Sequence, residues 1–215
     1  MHHVLLALLL ALPARAGERV PLTEPDRTRG LPLMAALSAR ASAREWSDRD
    51  LSPQDLSDLL WAANGINRPE EHKRTAPSAL NAQDIDLYVF TREGVFRYDA
   101  ASHALDRAVE GDHRSAIPRS PPARPSDGAA PPASPPVQLV LVSDSTRFRM
   151  GTAEQRRAWG AMDAGIVSQN ISLFCAATGL ATRPRASVDE AGLRRLLSLA
   201  DTTYVILDHP VGYPR

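Results

Sequence analysis

The sequence predicts an α+β fold, a sheet packed with helices. Three observations carry that reading: two segments whose apolar residues recur at helical spacing, several short runs that alternate or stay apolar as strands do, and no regular strand-helix-strand alternation of a doubly wound sheet. The chain has 215 residues, 43% of them hydrophobic, enough for one core and too few for two ordinary domains.

Leu33 to Ser38 reads as helical, and the period is lost over Arg40 to Trp46. Ser52-Pro53-Gln54-Asp55 then places a hydroxyl cap, a proline at the first helical position and an acid in the first turn. Leu56, Leu59, Leu60 and Ala63 follow at steps of three and four, and Gly65 is placed to stop the helix. Residues 66–79 are polar with two prolines and read as a loop. Ile85 to Phe90 and Val95 to Tyr98, separated by Arg92-Glu93-Gly94, form a hairpin signal. Residues 115–136 collapse into Pro, Ala, Ser and Arg and read as a flexible insert, a passive linker by its composition. Val137 to Val142 is an apolar strand. Residues 153–178 form a long helix with Met162, Ile166, Asn170, Phe174 and Ala177 along one face, ended by Gly179. Leu180 to Ala186 is extended, Ser187-Val188-Asp189-Glu190 matches a capping box for a short helix, and Thr203 to Leu207 is a last strand.

Charge and cysteine content narrow the function. Basic and acidic residues both number 25, so no global pull toward nucleic acid or anionic lipid is implied. Cys175 is the only cysteine, which excludes an intramolecular disulfide and a multi-cysteine zinc site. Val4 to Leu12 is an aliphatic run too short for a bilayer span of roughly 20 residues. With Ala14-Arg15-Ala16 behind it, the run reads as a cleavable signal peptide over residues 1–16, and a mature chain of residues 17–215 outside the cytoplasm, periplasmic or secreted, follows. Serine-hydrolase elbows, Walker loops, dinucleotide glycine motifs and His-Glu-x-x-His are all absent, and the six histidines lack ligand spacing. His113 and His209, each next to an aspartate, read as solvated or locally hydrogen-bonded.

Four clusters remain. In an extended segment Arg40, Ser42 and Arg44 project to one side, so two guanidiniums and a hydroxyl can converge on an anion; a solvated surface strand is the plain alternative. Pro77, Ser78, Ala79, Asn81 and Gln83 precede a strand, and the amides of Asn81 and Gln83 suit a ring edge that both donates and accepts; a turn opening the strand explains them equally. Gly165, after Asp163-Ala164, costs the long helix roughly 0.5–1 kcal/mol against alanine, which favours a place where backbone is closely approached, by a flat ring or by another helix. Last, Val211-Gly212-Tyr213-Pro214-Arg215 reads as a fixed loop carrying a final cation.

In this order, the clusters resemble the nitroreductase family of FMN enzymes, nearest the branch with SagB-type dehydrogenases, over about Leu37 to Arg215. The resemblance is borne by Arg40-Ala41-Ser42-Ala43-Arg44, Leu59 to Gly65, Thr75 to Gln83, Met162 to Asn170 and Gly212-Tyr213-Pro214. It implies a central, mainly antiparallel sheet flanked by helices, an entwined homodimer, and FMN at the subunit interface. Arg40, Ser42 and Arg44 from one subunit would hold the phosphate, ribityl chain and pyrimidine edge. Pro77, Ser78, Ala79, Asn81 and Gln83 would come from the other, Ala164 and Gly165 would lie against the ring, and Arg215 would add a phosphate contact. The implied activity is ping-pong electron transfer from a reduced donor to a nitroaromatic or quinone-like acceptor, with the flavin carrying the hydride and no dedicated catalytic side chain. A non-catalytic flavin-binding member is the alternative. Ala41 stands where a basic residue is common in the family, and Asp84-Ile85 where Pro and an aromatic are.

Overall fold

In the computed structural model, residues 17–117 and 134–215 are described; the expected signal peptide, residues 1–16, and residues 118–133 of the expected insert lie outside them. The elements in chain order are β1 (Arg19–Pro21), α1 (Leu33–Ala39), α2 (Pro53–Asn64), β2 (Ile66–Arg68), β3 (Lys73–Arg74), β4 (Ile85–Phe90), β5 (Gly94–Asp99), β6 (Ala104–Glu110), β7 (Val137–Asp144), α3 (Ala153–Thr178), β8 (Ala181–Thr182), α4 (Glu190–Leu196) and β9 (Thr203–Gly212). Seven strands form one antiparallel sheet in the order β1-β6-β5-β4-β7-β9-β8, which is the expected α+β architecture.

β7 runs through the middle because both its faces are covered, so its apolar run has no solvent side. Leu139 and Leu141 meet Leu87, Val89 and the inner residues of α2 and α3. Val140 and Val142 meet Phe90, Val205 and Leu193 of α4. The helix ends are built as read: Ser52 Oγ accepts from the Asp55 N–H at 3.0 Å, and Thr152 with Gln155 makes a reciprocal cap for α3. Gly179 closes α3 at φ 77°, a conformation glycine adopts without steric cost.

Four expectations are corrected and two unforeseen strands are added. Residues 66–79 are not plain loop: β2 and β3 make a two-stranded ribbon, turned by His72 in the left-handed region. β1 and β6 escape a reading by periodicity because their short, mixed sequences are strands only through pairing with each other and with β5. The cap of α4 is Asp189, not Ser187, since its carboxylate accepts from the Gly192 N–H at 2.9 Å. β9 continues to Gly212, so Val211 and Gly212 belong to a strand rather than a terminal loop; a Cβ at Gly212 would lie 2.7 Å from Pro136 Cδ. Finally, α3 turns a different face inward. Its buried residues are Gly160, Asp163, Ala164, Val167, Ser168, Ile171, Ser172 and Cys175, while Met162 and Ile166 are exposed. Gly160, Ala164, Ser168 and Ser172, set among Val167 and Ile171 on the inner face, let the helix pack closely, and Met162 and Ile166 stay outside.

Candidate functional site

The chain after α1 runs extended beside β8. Ala43 N–H donates to Thr182 O at 2.9 Å and Trp46 Nε1–H to Ala181 O at 2.9 Å, which fixes the phase of the segment. Ala39, Ala41 and Ala43 line a cleft of ~160 Å³ with Ser172, Cys175 and Thr182. Arg40, Ser42 and Arg44 alternate with those alanines and are exposed. Arg183, a cation that the sequence reading missed, joins them: burial, then the charges of Arg185 and Arg44, hold its guanidinium below the usual arginine range. Asp208, which also acts on Arg183, is hydrogen-bonded to Arg185 deep in the structure. Arg215 is exposed just beyond Tyr213, whose hydroxyl donates to Asp55 Oδ2 at 2.5 Å.

The second cluster is a tight loop ahead of β4. Leu80, Asn81 and Gln83 have φ of 55°, 54° and 50°, left-handed conformations that cost non-glycine residues free energy and persist only when surroundings impose them. Gln83 N–H donates to Ser78 Oγ at 2.8 Å, and Ala79 N–H donates to both oxygens of Asp163 at 3.0 and 2.9 Å. The Gln83 side chain is committed within the chain: it accepts from Arg74 Nε at 3.0 Å and donates to His72 O at 2.7 Å, so it braces the loop. Pro77 and Asn81 are exposed, with the Asn81 amide at the surface.

On α3, Ala164 and Gly165 point in different directions. The Ala164 methyl is fully buried in the main core, so only its backbone is left for a ring. A Cβ built at Gly165 meets nothing within 4 Å. Packing inside this chain therefore does not demand that glycine. The Arg40 segment lies against Ser172 and Cys175 and the Ala79 loop against Asp163, nine to twelve residues earlier on α3, which is about 14–18 Å at 1.5 Å per residue. The two clusters do not close on one ring within a single chain.

Other candidates are structural. His209 is fully buried rather than solvated; its Nε2 meets Ser168 Oγ at 2.8 Å and its Nδ1 meets Thr182 Oγ1 at 3.1 Å. Burial and then Arg185 push its pKa down to about 3, which keeps it neutral. His113 Nε2 faces Glu110 O at 2.8 Å, while the neighbouring Asp112 pairs with Arg114. Cys175 is buried, and burial raises its thiol pKa. Among the described residues no group of three or more His, Cys, Asp or Glu is placed to hold a metal ion, and no helix is long and apolar enough to cross a membrane. The largest omission of the sequence reading is a pair of buried carboxyl groups, Asp84 and Asp163, beneath the Ala79 loop.

The fold has known counterparts. The solved structure of a protein assigned as a nitroreductase from Ralstonia eutropha is 33% identical, with a TM-score of 0.80 over 96% of this chain and 95% of that one. A protein assigned as a nitroreductase from Methanocaldococcus jannaschii is 26% identical over 208 residues, 91% of this chain and 98% of its own length. The fold also recurs at 18% identity in the microcin synthetase McbBCD complex of E. coli, with a TM-score of 0.69 over 90% of this chain and 77% of that one. The model of the nitroreductase family matches residues 37–213, spanning both clusters and α3, and the chain belongs to that family of oxidoreductases.

Proposed function

We propose that the protein is an FMN-dependent oxidoreductase that works as a homodimer. The observation that carries this reading is Gly165: a helix glycine with open space in front of it, flanked by exposed Met162 and Ile166 on a helix otherwise packed against its own sheet. Bare backbone beside exposed apolar side chains suits a flat ring covered by a second subunit. Two further observations support it. The exposed guanidiniums of Arg40 and Arg44 suit a phosphate, and the 14–18 Å estimated between the clusters is spanned when each comes from a different subunit of a two-fold pair.

In that arrangement Arg40 and Arg44 hold the phosphate, with Arg215 nearby, and Ser42 contacts the ribityl chain. Asn81 and the backbone of Ala79 face the ring edge, Pro77 and Ser78 shape the wall, and Gln83 keeps the loop in register. Bound FMN would supply hydride transfer by turns, taking it from a reduced donor and giving it to a small nitroaromatic or quinone-like acceptor. The side chains contribute orientation and water exclusion. We also place the mature protein, residues 17–215, in the periplasm or outside the cell, where NAD(P)H is scarce and another reduced compound would serve as donor.

The test is the visible spectrum of the purified protein, followed by mass analysis of any released chromophore. An oxidised-flavin spectrum and the mass of FMN are expected, with Arg40→Ala and Asn81→Ala each losing cofactor. A colourless protein that ignores added FMN overturns the reading.

A further inference from the structure

Asp84 and Asp163 are both buried, Asp84 completely. They come from different elements, the residue before β4 and the middle of α3, and both line one small cavity beneath the Ala79 loop, with the turn of α3 that precedes Asp163 packed against Asp84 Oδ2. An ionised carboxylate only accepts, so a bond between two of them needs a proton on one. The remaining contacts agree. Asp84 Oδ2 accepts from Ser143 Oγ at 2.5 Å, and both oxygens of Asp163 accept from the Ala79 N–H. Asp84 Oδ1 is buried without any N–H or O–H donor among the described residues, which leaves it to receive a shared proton.

Among the described residues no cation acts on Asp163, and the charge of Arg147, which reaches Asp84, is shared with Asp86 and Asp144. From the turn after β7, Arg147 donates to Asp86 and to Gln83 O and lies close to Asp144. Arg74 of β3 is engaged by Gln83 Oε1 and Asn64 O. α3 presents Gly160, where a Cβ would fall 2.2 Å from Ser143 Oγ and 3.3 Å from Asp84 Oδ2, so the helix is packed tightly over the pair. Burial first, then the neighbouring Asp84, lift Asp163 to about 7.

We infer that Asp84 and Asp163 hold one proton between them and, through the Ala79 N–H, pin the 78–83 loop in its cofactor-facing shape, acting as positioning residues. The link to the cofactor rests on the reading above; the shared proton does not. Three left-handed residues in that loop need an external anchor, and the Ala79 N–H on Asp163 ties it to α3. Loss of the shared proton places two unpaired charges in contact and loosens the anchor. Because the folded state raises the acid's affinity for its proton, the stabilisation is present at low pH and is lost as pH climbs through the folded value.

The experiment uses flavin-free protein and two isosteric variants, Asp163→Asn and Asp84→Asn, whose amide N–H replaces the shared proton permanently. Thermal midpoints are measured from pH 6 to 9, with infrared detection of a protonated carboxyl and FMN titration by fluorescence. The wild type should lose roughly 3–6 °C over that range relative to either variant, show a carboxylic-acid band at pH 6 absent from both variants, and lose FMN affinity about tenfold by pH 9 while the variants stay level. A wild-type midpoint that parallels both variants, without that band, overturns the proposal. Should the pH effect and the band occur in a protein that never binds FMN, the shared proton stands, its assignment to a cofactor loop falls, and the FMN reading fails separately.

Discussion

If the outer face of α3 is covered by a second subunit, charging that face should separate the two. Met34 and Leu33 of α1 are 75% and 64% exposed, and Met162 and Ile166 of α3 are 65% and 37% exposed, with Leu37 at 44%. Together this is nearly three full side chains' worth of apolar surface per subunit. At about 1.5–3 kcal/mol per buried side chain, covering both copies contributes roughly 9–17 kcal/mol, against about 4–15 kcal/mol for lost rigid-body freedom. At the centres of these ranges the balance favours association by about 3–4 kcal/mol, and the rest of the roughly 8 kcal/mol that a micromolar dimer needs comes from further contacts across the interface. The double variant Met162→Asp/Ile166→Asp places four carboxylates in a two-fold interface and removes apolar burial twice over. Its dissociation constant should rise by at least about 10³-fold, since roughly 4 kcal/mol corresponds to three decades. Sedimentation velocity at micromolar protein concentration should show a dimer for wild type and a monomer for the variant. A monomeric wild type, or a variant that sediments as a dimer, refutes the reasoning.

Gly165→Leu should improve helix propensity by roughly 0.5–1 kcal/mol and raise the thermal midpoint of flavin-free protein slightly, yet abolish FMN retention; equal retention by absorbance would show that the open face is not the ring's. Gly160→Ala, with a methyl 2.2 Å from Ser143 Oγ, should cost about 1–3 kcal/mol in urea unfolding although alanine is the better helix former. Arg185→Leu strands the buried Asp208 carboxylate and should cost about 3–5 kcal/mol, most of it recovered by adding Asp208→Leu; a double variant no better than the single one would count against an uncompensated charge as the cause.

What could be read from the sequence divides along physical lines. Local rules placed α2, α3 and the β4–β5 hairpin, because Ser52, Pro53, Thr152, Gly179 and the alternation from Ile85 act through their own neighbours in the chain. β1 could not be read so, since its strand character exists only in pairing with β6 across some eighty residues, and β6, though it pairs with the neighbouring β5, carries no clear alternation of its own. The inner face of α3 was misjudged for a related reason. Periodicity finds an apolar stripe but not the partner it meets, and on α3 a side of mostly small residues with Val167 and Ile171 is buried while Met162 and Ile166 face outward. The same limit hid Asp84 and Asp163. In the sequence each is a solvated acid by default, 79 positions from the other, and only the fold removes water from both at once. Side-chain roles followed suit: Gln83 looked like a ligand group by type, yet Arg74 and His72 already use both ends of its amide. A chain position can thus announce a polar group's chemistry without announcing whether that chemistry is spent inside the chain or kept for a ligand, and of the two amides in this loop it is the exposed Asn81 that the fold leaves available.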